Sequence, residues 1–362
     1  MRSYIDNCIV LILVANLQKS DNRMCNDTRM LLTGSSGYIG SRLVPKLSKH
    51  YRAICGVDRD AARVGGLRSF VHGDLCDSAV AQKAVAGIDQ VLHLAAAKGD
   101  WGISEDEYYR DNLEATGVLI EAGKEAGVKD WVFYSTVSVM GPSHEAIGEQ
   151  AEFDPINPYG ASKAEAEKLF HQLAAEDPEA RVLIIRPSVV YGPGNPDSTN
   201  IYRLIDAIYN NRFAMVGPGD AIKSTSYIDN LLAATLFLMN RMERGVQTFI
   251  YVDEPALSTG ELVKRIYRLL DKEPPSWHIP LSVASPIAAV SDFAASVTGI
   301  DFPITAARIE KFNRSTNFDA SAIRELGFEQ PMSNEEALRD TVEWHLRHEF
   351  GAMESEPVAA SG

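Results

Sequence analysis

Tyr159 and Lys163 stand four residues apart in the stretch NPYGASKAEAEKLF, which begins at Asn157. On a helix that spacing places both side chains on one face. Tyrosine is a poor base at its ordinary pKa of about 10. A neighbouring ammonium favours the phenolate. Lys163 one turn on would therefore let Tyr159 take a proton from a hydroxyl and give it back. The same two residues also suit the opening turns of an ordinary surface helix, so the pair acquires meaning only from what surrounds it.

The segments that would position the pair follow a regular order. RMLLTGSSGYIGSRLVPKLSKH reads as strand, Gly-rich turn and helix, and YRAICGVDRD as a second strand ending in acid. VHGDLCD is a short third strand and turn, AVAQKAVAGIDQ is helical, and QVLHLAAAKG is a buried apolar strand. EYYRDNLEATGVLIEAGKEAGV has apolar positions at helical spacing and predicts one helix. DWVFYSTVSVMG is another buried strand, SKAEAEKLFHQLAAE a helix, and ARVLIIRPSVVYGPG a strand running into a Gly/Pro loop. Strands alternating with helices predict an α/β fold with a doubly wound parallel sheet, Rossmann-type. After YGPGNPDSTN helices dominate and prolines cluster, with one return strand at QTFIYV. This predicts a smaller, mostly helical C-terminal substrate lobe. The expected division is a flexible extension over 1–28 and a nucleotide-binding domain over 29–192 with a return segment near 225–254. The lobe takes 193–224 and 255–350, and a disordered tail takes 351–362. SNEEALRDTVEWHLRHEF predicts an amphipathic helix with Ser333 as N-cap and Glu336 three residues on.

Gly34, Gly37 and Gly40 recur every third residue in TGSSGYIG, between the first strand and the first helix. Glycines there let backbone approach a pyrophosphate closely, and the helix N-terminus offers free N–H groups and a positive dipole end. Ser36, Tyr38 and Ile39 share the turn and are candidate contacts. A Gly-rich turn also occurs without a ligand, but the strand–turn–helix setting favours a dinucleotide. Asp58 ends the second strand, 18 residues past Gly40. A carboxylate there accepts hydrogen bonds from the adenosine ribose and repels a 2′-phosphate, which favours NAD over NADP. Arg59 follows directly and softens that preference. Asp74 and Leu75 follow the third strand, where a carboxylate and a backbone N–H could read adenine. The alternative for Asp74 is a simple turn residue.

Composition narrows the classes. The chain has 362 residues, 45% hydrophobic, with a formal net charge of −14. That charge argues against nucleic-acid binding, which needs basic surface. Cys8, Cys25, Cys55 and Cys76 form no Cys-x-x-Cys pair and no cluster with histidine. No metal site is expected, and the default is a reducing, cytoplasmic compartment. CIVLILVANL is too short for a bilayer span of about 20 residues. Arg2 alone precedes it and no Ala-x-Ala site follows, which argues against a signal peptide. Met24 and Met30 are alternative starts.

From about Arg29 to about His345 the chain resembles the extended short-chain dehydrogenase/reductase family, in its NAD-dependent nucleotide-sugar epimerase/dehydratase branch. TGSSGYIG resembles the family's cofactor turn. VLHLAAAK resembles the strand supporting the cofactor, which implies contacts from Leu94, Ala95 and Ala96 and a phosphate contact from Lys98. DNLEATGVLIEAG resembles the Asn-containing helix start, placing Asn112, which either meets substrate or holds core backbone. YSTVSVMG resembles the catalytic strand, which puts the Ser/Thr role on Thr136 with Ser135 beside it as substrate contacts. YGASK resembles the Tyr-x-x-x-Lys pair, making Thr136, Tyr159 and Lys163 the implied catalytic residues, the last two also touching NAD. IRPSVVYGPG resembles the segment passing the nicotinamide and adds Pro187. In the substrate lobe the resemblance implies diphosphate contacts from Asn200 and Lys223, although Lys223 also reads as a solvated surface charge. Tyr227 and Asn230 read as tying their turn to the core.

The chain departs from the family pattern at three places. Met140 stands where a Tyr is usual. The frequent Arg-x-Gly-Asp is absent, with IDFPITAARIEKF in its region and Arg308 as a substitute. Val137 and Ser138 follow Thr136 where the 4,6-dehydratases carry Asp-Glu, and neither can transfer the protons that removal of water needs. The resemblance therefore implies an NAD-dependent epimerase of a nucleotide-diphosphate sugar, oxidising C4 transiently to a 4-keto intermediate. The alternative is a net NAD(P)-dependent oxidoreductase of a 4-keto nucleotide sugar or a 3β-hydroxysteroid-like alcohol. A non-catalytic dinucleotide sensor is a third class, disfavoured because both Tyr159 and Lys163 are kept. Family members commonly form homodimers through the Tyr–Lys helix and the one before it, near Glu107 to Ala126. No nucleic-acid or membrane partner is implied.

Overall fold

The computed structural model describes residues 27–62, 65–99, 102–195, 199–286, 288 and 306–355. Outside them fall nearly all of the expected extension, Cys8, Cys25 and residues 356–362; the side chain of Arg308 is outside as well. In chain order the elements begin with β1 (Arg29–Thr33), α1 (Tyr38–Leu47), β2 (Ala53–Asp58), β3 (Ser69–His72), α2 (Ser78–Val85) and β4 (Gln90–His93). There follow α3 (Glu105–Tyr108), a π-helical turn (Tyr109–Glu114), α4 (Ala115–Ala126), β5 (Asp130–Tyr134), α5 (Pro158–Glu176) and β6 (Arg181–Pro187). The rest comprises β7 (Val189–Tyr191), α6 (Asn200–Tyr209), β8 (Ile222–Lys223), β9 (Thr225–Tyr227), α7 (Ile228–Met239) and β10 (Gly245–Tyr251). Last come β11 (Leu257–Ser258), α8 (Thr259–Leu269), α9 (Ala306–Asn313), α10 (Ser321–Glu325) and α11 (Asn334–Ser355).

Seven strands form one sheet in the order β10-β6-β5-β4-β1-β2-β3. The pairs from β6 across to β3 run parallel. Strand order reverses between β1 and β4, and in such sheets ligands bind beyond the carboxyl ends of the strands at that point. Thr33 and His93 are paired residues at those two ends, so the turn after β1 and the loop after β4 both open at the switch. β1, β4 and β5 are almost wholly buried, as expected of strands covered by helices on both faces. Leu31, Val57, Val91, Trp131, Phe133, Leu119, Phe170 and Ile184 share one hydrophobic core.

The chain divides into two compact units. The first comprises Met1–Val139, Phe153–Arg186 and Ala234–Phe249, and the second Met140–Glu152, Pro187–Ala233 and Ile250–Gly362. In the second, β7 pairs with β9 in parallel and β8 with β11 antiparallel. Asp253 is its buried hub, accepting from Tyr227 N at 2.5 Å, Asn230 Nδ2 at 3.0 Å and the Tyr251 hydroxyl at 3.1 Å. Tyr227 also donates its hydroxyl to Asp340 at 2.5 Å, and Asn230 bonds Met332. Both side chains thus tie their turn to the core of that unit. Ser333 and Glu336 bond reciprocally at the start of α11, and that helix runs to Ser355, into the stretch expected as a tail.

The single helix predicted around Asn112 is interrupted. A π-helical turn separates α3 from α4. Within it the Asn112 carbonyl accepts from the Thr116 hydroxyl at 2.6 Å, while the Asn112 side chain is committed to Ala97. Apolar periodicity carries no mark of such a turn, because the buried partners are polar. The register depends on one asparagine rather than on the hydrophobic stripe.

An ion pair sits beneath α5. Arg186 Nε and Nη2 reach the two oxygens of Glu167 at 3.0 and 2.7 Å, with the side chains 5% and 0% exposed. Removing one member of such a pair leaves a bare buried charge. Glu167→Ala is expected to cost about 3–5 kcal/mol of unfolding free energy in urea titration, and a Glu167→Leu/Arg186→Met double variant to recover most of it.

Candidate active site

Two short approaches shape the turn after β1. Gly34 has φ +65°, and a Cβ on it would lie 2.9 Å from Ala95 N. A Cβ on Gly40 would lie 2.2 Å from the Gly34 carbonyl oxygen, so only glycine lets α1 start this close to the strand. Gly37 caps α1 with no side-chain hydrogen bond, so the start of the helix presents backbone rather than a capping side chain to a ligand. Asp58 Oδ2 accepts from Ser36 N at 2.8 Å and Oδ1 from Asp60 N at 3.0 Å. The carboxylate is thereby fixed beside the turn, where a ribose would come. Tyr38 and Ile39 begin α1.

Arg59, which could have served a 2′-phosphate, is engaged elsewhere. Its Nη2 pairs with Asp111 at 2.7 Å, and Nη1 lies 4.0 Å from Asp74. Asp74 accepts from Cys76 N at 2.9 Å and pairs with Arg110. Asp74 is partly desolvated, which works against its charge, but these bonds and the two arginines hold its carboxyl below the usual range. The turn role and an ionic role coincide in this residue, while Leu75 packs into the core. Asp74, Cys76 and Asp111 lie close enough to share a cation, but Arg59 and Arg110 already supply the positive charge there.

A buried relay links the Gly-rich turn to α5, which carries Tyr159 and Lys163. Thr33 Oγ1 accepts from Leu94 N and Ala95 N, each at 3.0 Å, and lies 2.7 Å from His93 Nδ1. With both lone pairs taken, its proton goes to Nδ1. His93 Nε2 then donates to Thr116 Oγ1 at 3.0 Å, since the Thr116 proton is spent on Asn112 O. Asn112 accepts from Ala97 N at 2.7 Å and donates to Ala97 O at 3.2 Å and Ser162 Oγ at 3.0 Å. Ser162 donates to the Tyr159 carbonyl at 2.9 Å. Of the two readings of Asn112, the structure displays the backbone-holding one. Its grip on Ala97 shapes the loop carrying Ala96 and the exposed Lys98. Burial, then the nearby Lys163, pushes His93 down to about 3, so the ring is neutral.

Helix α5, which carries Tyr159 and Lys163, is brought up to the strand loop by Asn157 and Gly160. Asn157 caps it by accepting from Gly160 N at 2.7 Å. A Cβ on Gly160 would meet the Ser138 carbonyl oxygen at 2.4 Å, so glycine is what lets Tyr159 reach Thr136. The Tyr159 hydroxyl is buried beside Thr136, whose Oγ1 accepts from Ser138 N at 3.1 Å and donates to Ser138 Oγ at 3.2 Å. Burial pushes Tyr159 up to about 12, against the opposing influence of Thr136. Lys163, 1% exposed, is pushed down to about 7 by burial, against the pull of Glu167. Its Nζ lies 3.9 Å from the centroid of the Phe133 ring. The lysine does not yet assist the phenol: the resting site holds a protonated tyrosine, and an added positive charge is what would release its proton.

Ser35 Oγ and Ser135 Oγ are buried without a hydrogen-bond partner among the described residues. Orphaned hydroxyls at the Gly turn and beside Thr136, with a glycine cradle and an uncapped helix start, fit a dinucleotide diphosphate and its neighbour. Pro187, Asn200 and Lys223 belong to the second unit. Asn200 opens α6, whose cap residue Thr199 makes no side-chain cap bond. Lys223 Nζ donates to Arg314 O at 2.5 Å. Sequence reasoning passed over His93, Thr33, Thr116, Ser162, Glu167 and Arg186. A histidine inside an apolar strand was the one visible signal among them.

Comparison with known proteins gives consistent matches. Residues 30–252 match the NAD dependent epimerase/dehydratase family. An N-acetyl-alpha-D-glucosaminyl-diphospho-ditrans,octacis-undecaprenol 4-epimerase of Escherichia coli O157:H7 is 31% identical over 320 residues, 88% of this chain and 96% of that protein. A UDP-glucose 4-epimerase of Vibrio cholerae is 28% identical over 340 residues, 90% and 99% respectively. The solved structure of MoeE5 in complex with UDP-glucose and NAD superposes with a TM-score of 0.68 at 30% identity, covering 88% of this chain and 99% of that one.

Two substitutions separate the roles. Tyr159→Phe is expected to lower turnover by about 10²–10⁴-fold while NAD affinity, read by fluorescence titration, changes little. Asp58→Ala is expected to weaken NAD binding by about tenfold or more through loss of its charge-assisted bonds, and to narrow the margin over NADP in the same titration.

Proposed function

The chain belongs to the NAD-dependent epimerase/dehydratase family, with NAD as cofactor, and from that premise we propose that it inverts C4 of a sugar carried on a nucleoside diphosphate. The observation that carries the reading is the Tyr159 hydroxyl buried beside Thr136 with Lys163 one turn on, and Val137 and Ser138 after Thr136 rather than an acid pair. Tyr159 is then the acid–base group, and the chemistry is reversible oxidation of one hydroxyl. Thr136 holds the C4 oxygen and the phenol in line. Tyr159 takes the hydroxyl proton as a ketone forms and returns it when the alcohol is restored. The bound cofactor supplies the hydride acceptor and donor. Gly34, Ser36, Gly37 and the start of α1 hold its diphosphate, Asp58 its adenosine ribose, and Lys163 its other ribose. Inversion requires the ketone to present its second face before reduction. Asn200 and Lys223 are the diphosphate contacts of this reading, and the second unit is its substrate lobe.

A second reading concerns what the diphosphate carries. Trp277, Val283 and Leu281 are 59%, 51% and 39% exposed. They stand on a segment whose backbone is fixed, with Ile279 N donating to Met215 O at 2.8 Å and Gly217 N to Ile279 O at 3.0 Å. A pinned display of large apolar side chains suits a polyprenyl chain in place of a nucleoside, as in the substrate named for the Escherichia coli relative. Among the described residues no helix is long and apolar enough to cross a membrane.

One panel tests both readings: UDP-glucose, UDP-galactose, their N-acetyl forms and a polyprenyl-diphospho-N-acetylglucosamine, each offered to the NAD-loaded protein. C4 epimers are expected without accumulation of NADH. Turnover of the UDP sugars supports the nucleotide reading, and turnover of the polyprenyl compound alone supports the second. Stoichiometric NADH would mean a net oxidoreductase instead, and no conversion across the panel would end both readings.

A further inference from the structure

We propose that the face of the Phe133 aromatic ring is the seat of the Lys163 ammonium, making Phe133 a positioning residue that keeps this lysine cationic in a desolvated site. The inference rests on the role given to Lys163 above. Lys163 is 1% exposed, and among the described residues no hydrogen bond to its Nζ is found. Its Nζ lies 3.9 Å from the Phe133 centroid, well inside the range where an aromatic face attracts a cation.

The charged and titratable groups around it leave the ring that task. On its own helix, Glu167 lies one turn further, but both its oxygens are taken by Arg186, which reaches it from β6. Tyr159, one turn earlier, is held protonated by burial beside Thr136. From β4, His93 stacks on Phe133 with centroids 5.6 Å apart and planes at 21°. The donors and acceptors around His93 fix it as the neutral Nε2–H tautomer. A protonated histidine there would put a second cation against the same ring. Phe170 backs Phe133 at 4.6 Å, which fixes the ring on its strand. β5 therefore supplies to Lys163 an electron-rich face in place of a carboxylate. A carboxylate would attract the ammonium more strongly and hold it away from the phenol and the cofactor ribose. A ring face stabilises the charge without claiming any of its three N–H donors.

The test varies the electronics of the ring without changing its shape. Phe133 is replaced in the full-length protein by mono-, di- and trifluorinated phenylalanine through codon reassignment. Lys163 is then titrated by carbon-13 NMR of its labelled Cε, assigned by loss of the signal in Lys163→Arg. Fluorination drains the ring face, so the titration midpoint is expected to fall stepwise with each fluorine. In Phe133→Leu the midpoint should fall by about one pH unit. NAD affinity measured on the same proteins should begin to weaken at correspondingly lower pH. A midpoint that stays constant across the fluorine series would overturn the proposal, whether or not Phe133→Leu folds. That outcome would leave epimerisation untouched, whereas absence of turnover in the unsubstituted protein would count against the functional reading and leave the titration result standing.

Discussion

The site hangs on one buried polar chain: Thr33, His93, Thr116, Asn112 and Ser162, bonded in sequence from the end of β1 to the backbone of Tyr159. All five are 0–1% exposed, so an unmade bond in it would be costly. The chain joins separately encoded parts: the Gly-rich turn, the loop after β4, the π-helical turn and α5. Because every donor and acceptor in it has one assignment, the distance between the Gly turn and Tyr159 is set by hydrogen bonds rather than by the more forgiving packing of apolar side chains. The parallel pairing of Thr33 with His93 places the first link, and Gly160 permits the last approach.

That rigidity frames an electrostatic problem. Burial works against charge on both members of the pair, holding Tyr159 protonated and Lys163 near the edge of losing its proton. Neither group is poised for catalysis on its own. A cationic ring close to the phenol would favour its ionised form, and proton transfer would then be coupled to occupancy by the oxidised cofactor. Nearby carboxylates would defeat this. The carboxylate one turn from Lys163, Glu167, is neutralised by Arg186 before it can dominate the lysine.

Much of this architecture was legible in the residue order. Strand and helix alternation carries the doubly wound sheet, because parallel strands buried on both faces must be continuously apolar. Gly34, Gly37 and Gly40 announce the turn and SKAEAEKLFHQLAAE announces a helix, while the Asn157 cap emerged only in the structure. The register of Tyr159 and Lys163 followed from the period of the helix. What escaped was set by tertiary contact. The π-helical turn around Asn112 has no periodicity of its own. Thr33, Thr116 and Ser162 look like ordinary residues until the fold brings them to His93 and Asn112. The position of Lys163 over Phe133 depends on a strand and a helix meeting at a particular offset, which no spacing along either one encodes. Asp74 was open between turn and ligand contact because the arginines that engage it come from Arg59 and from Arg110, one before it and one 36 residues after.

The central claim is that Tyr159 drives a closed oxidation and reduction at one carbon. The most direct measurement follows the C4 hydrogen. A diphosphate-linked N-acetylhexosamine deuterated at C4, incubated with the NAD-loaded protein in ordinary water, should yield the C4 epimer with its deuterium retained and the cofactor returned to its oxidised form. Loss of deuterium to solvent, or its accumulation on reduced cofactor in proportion to product, would contradict the account.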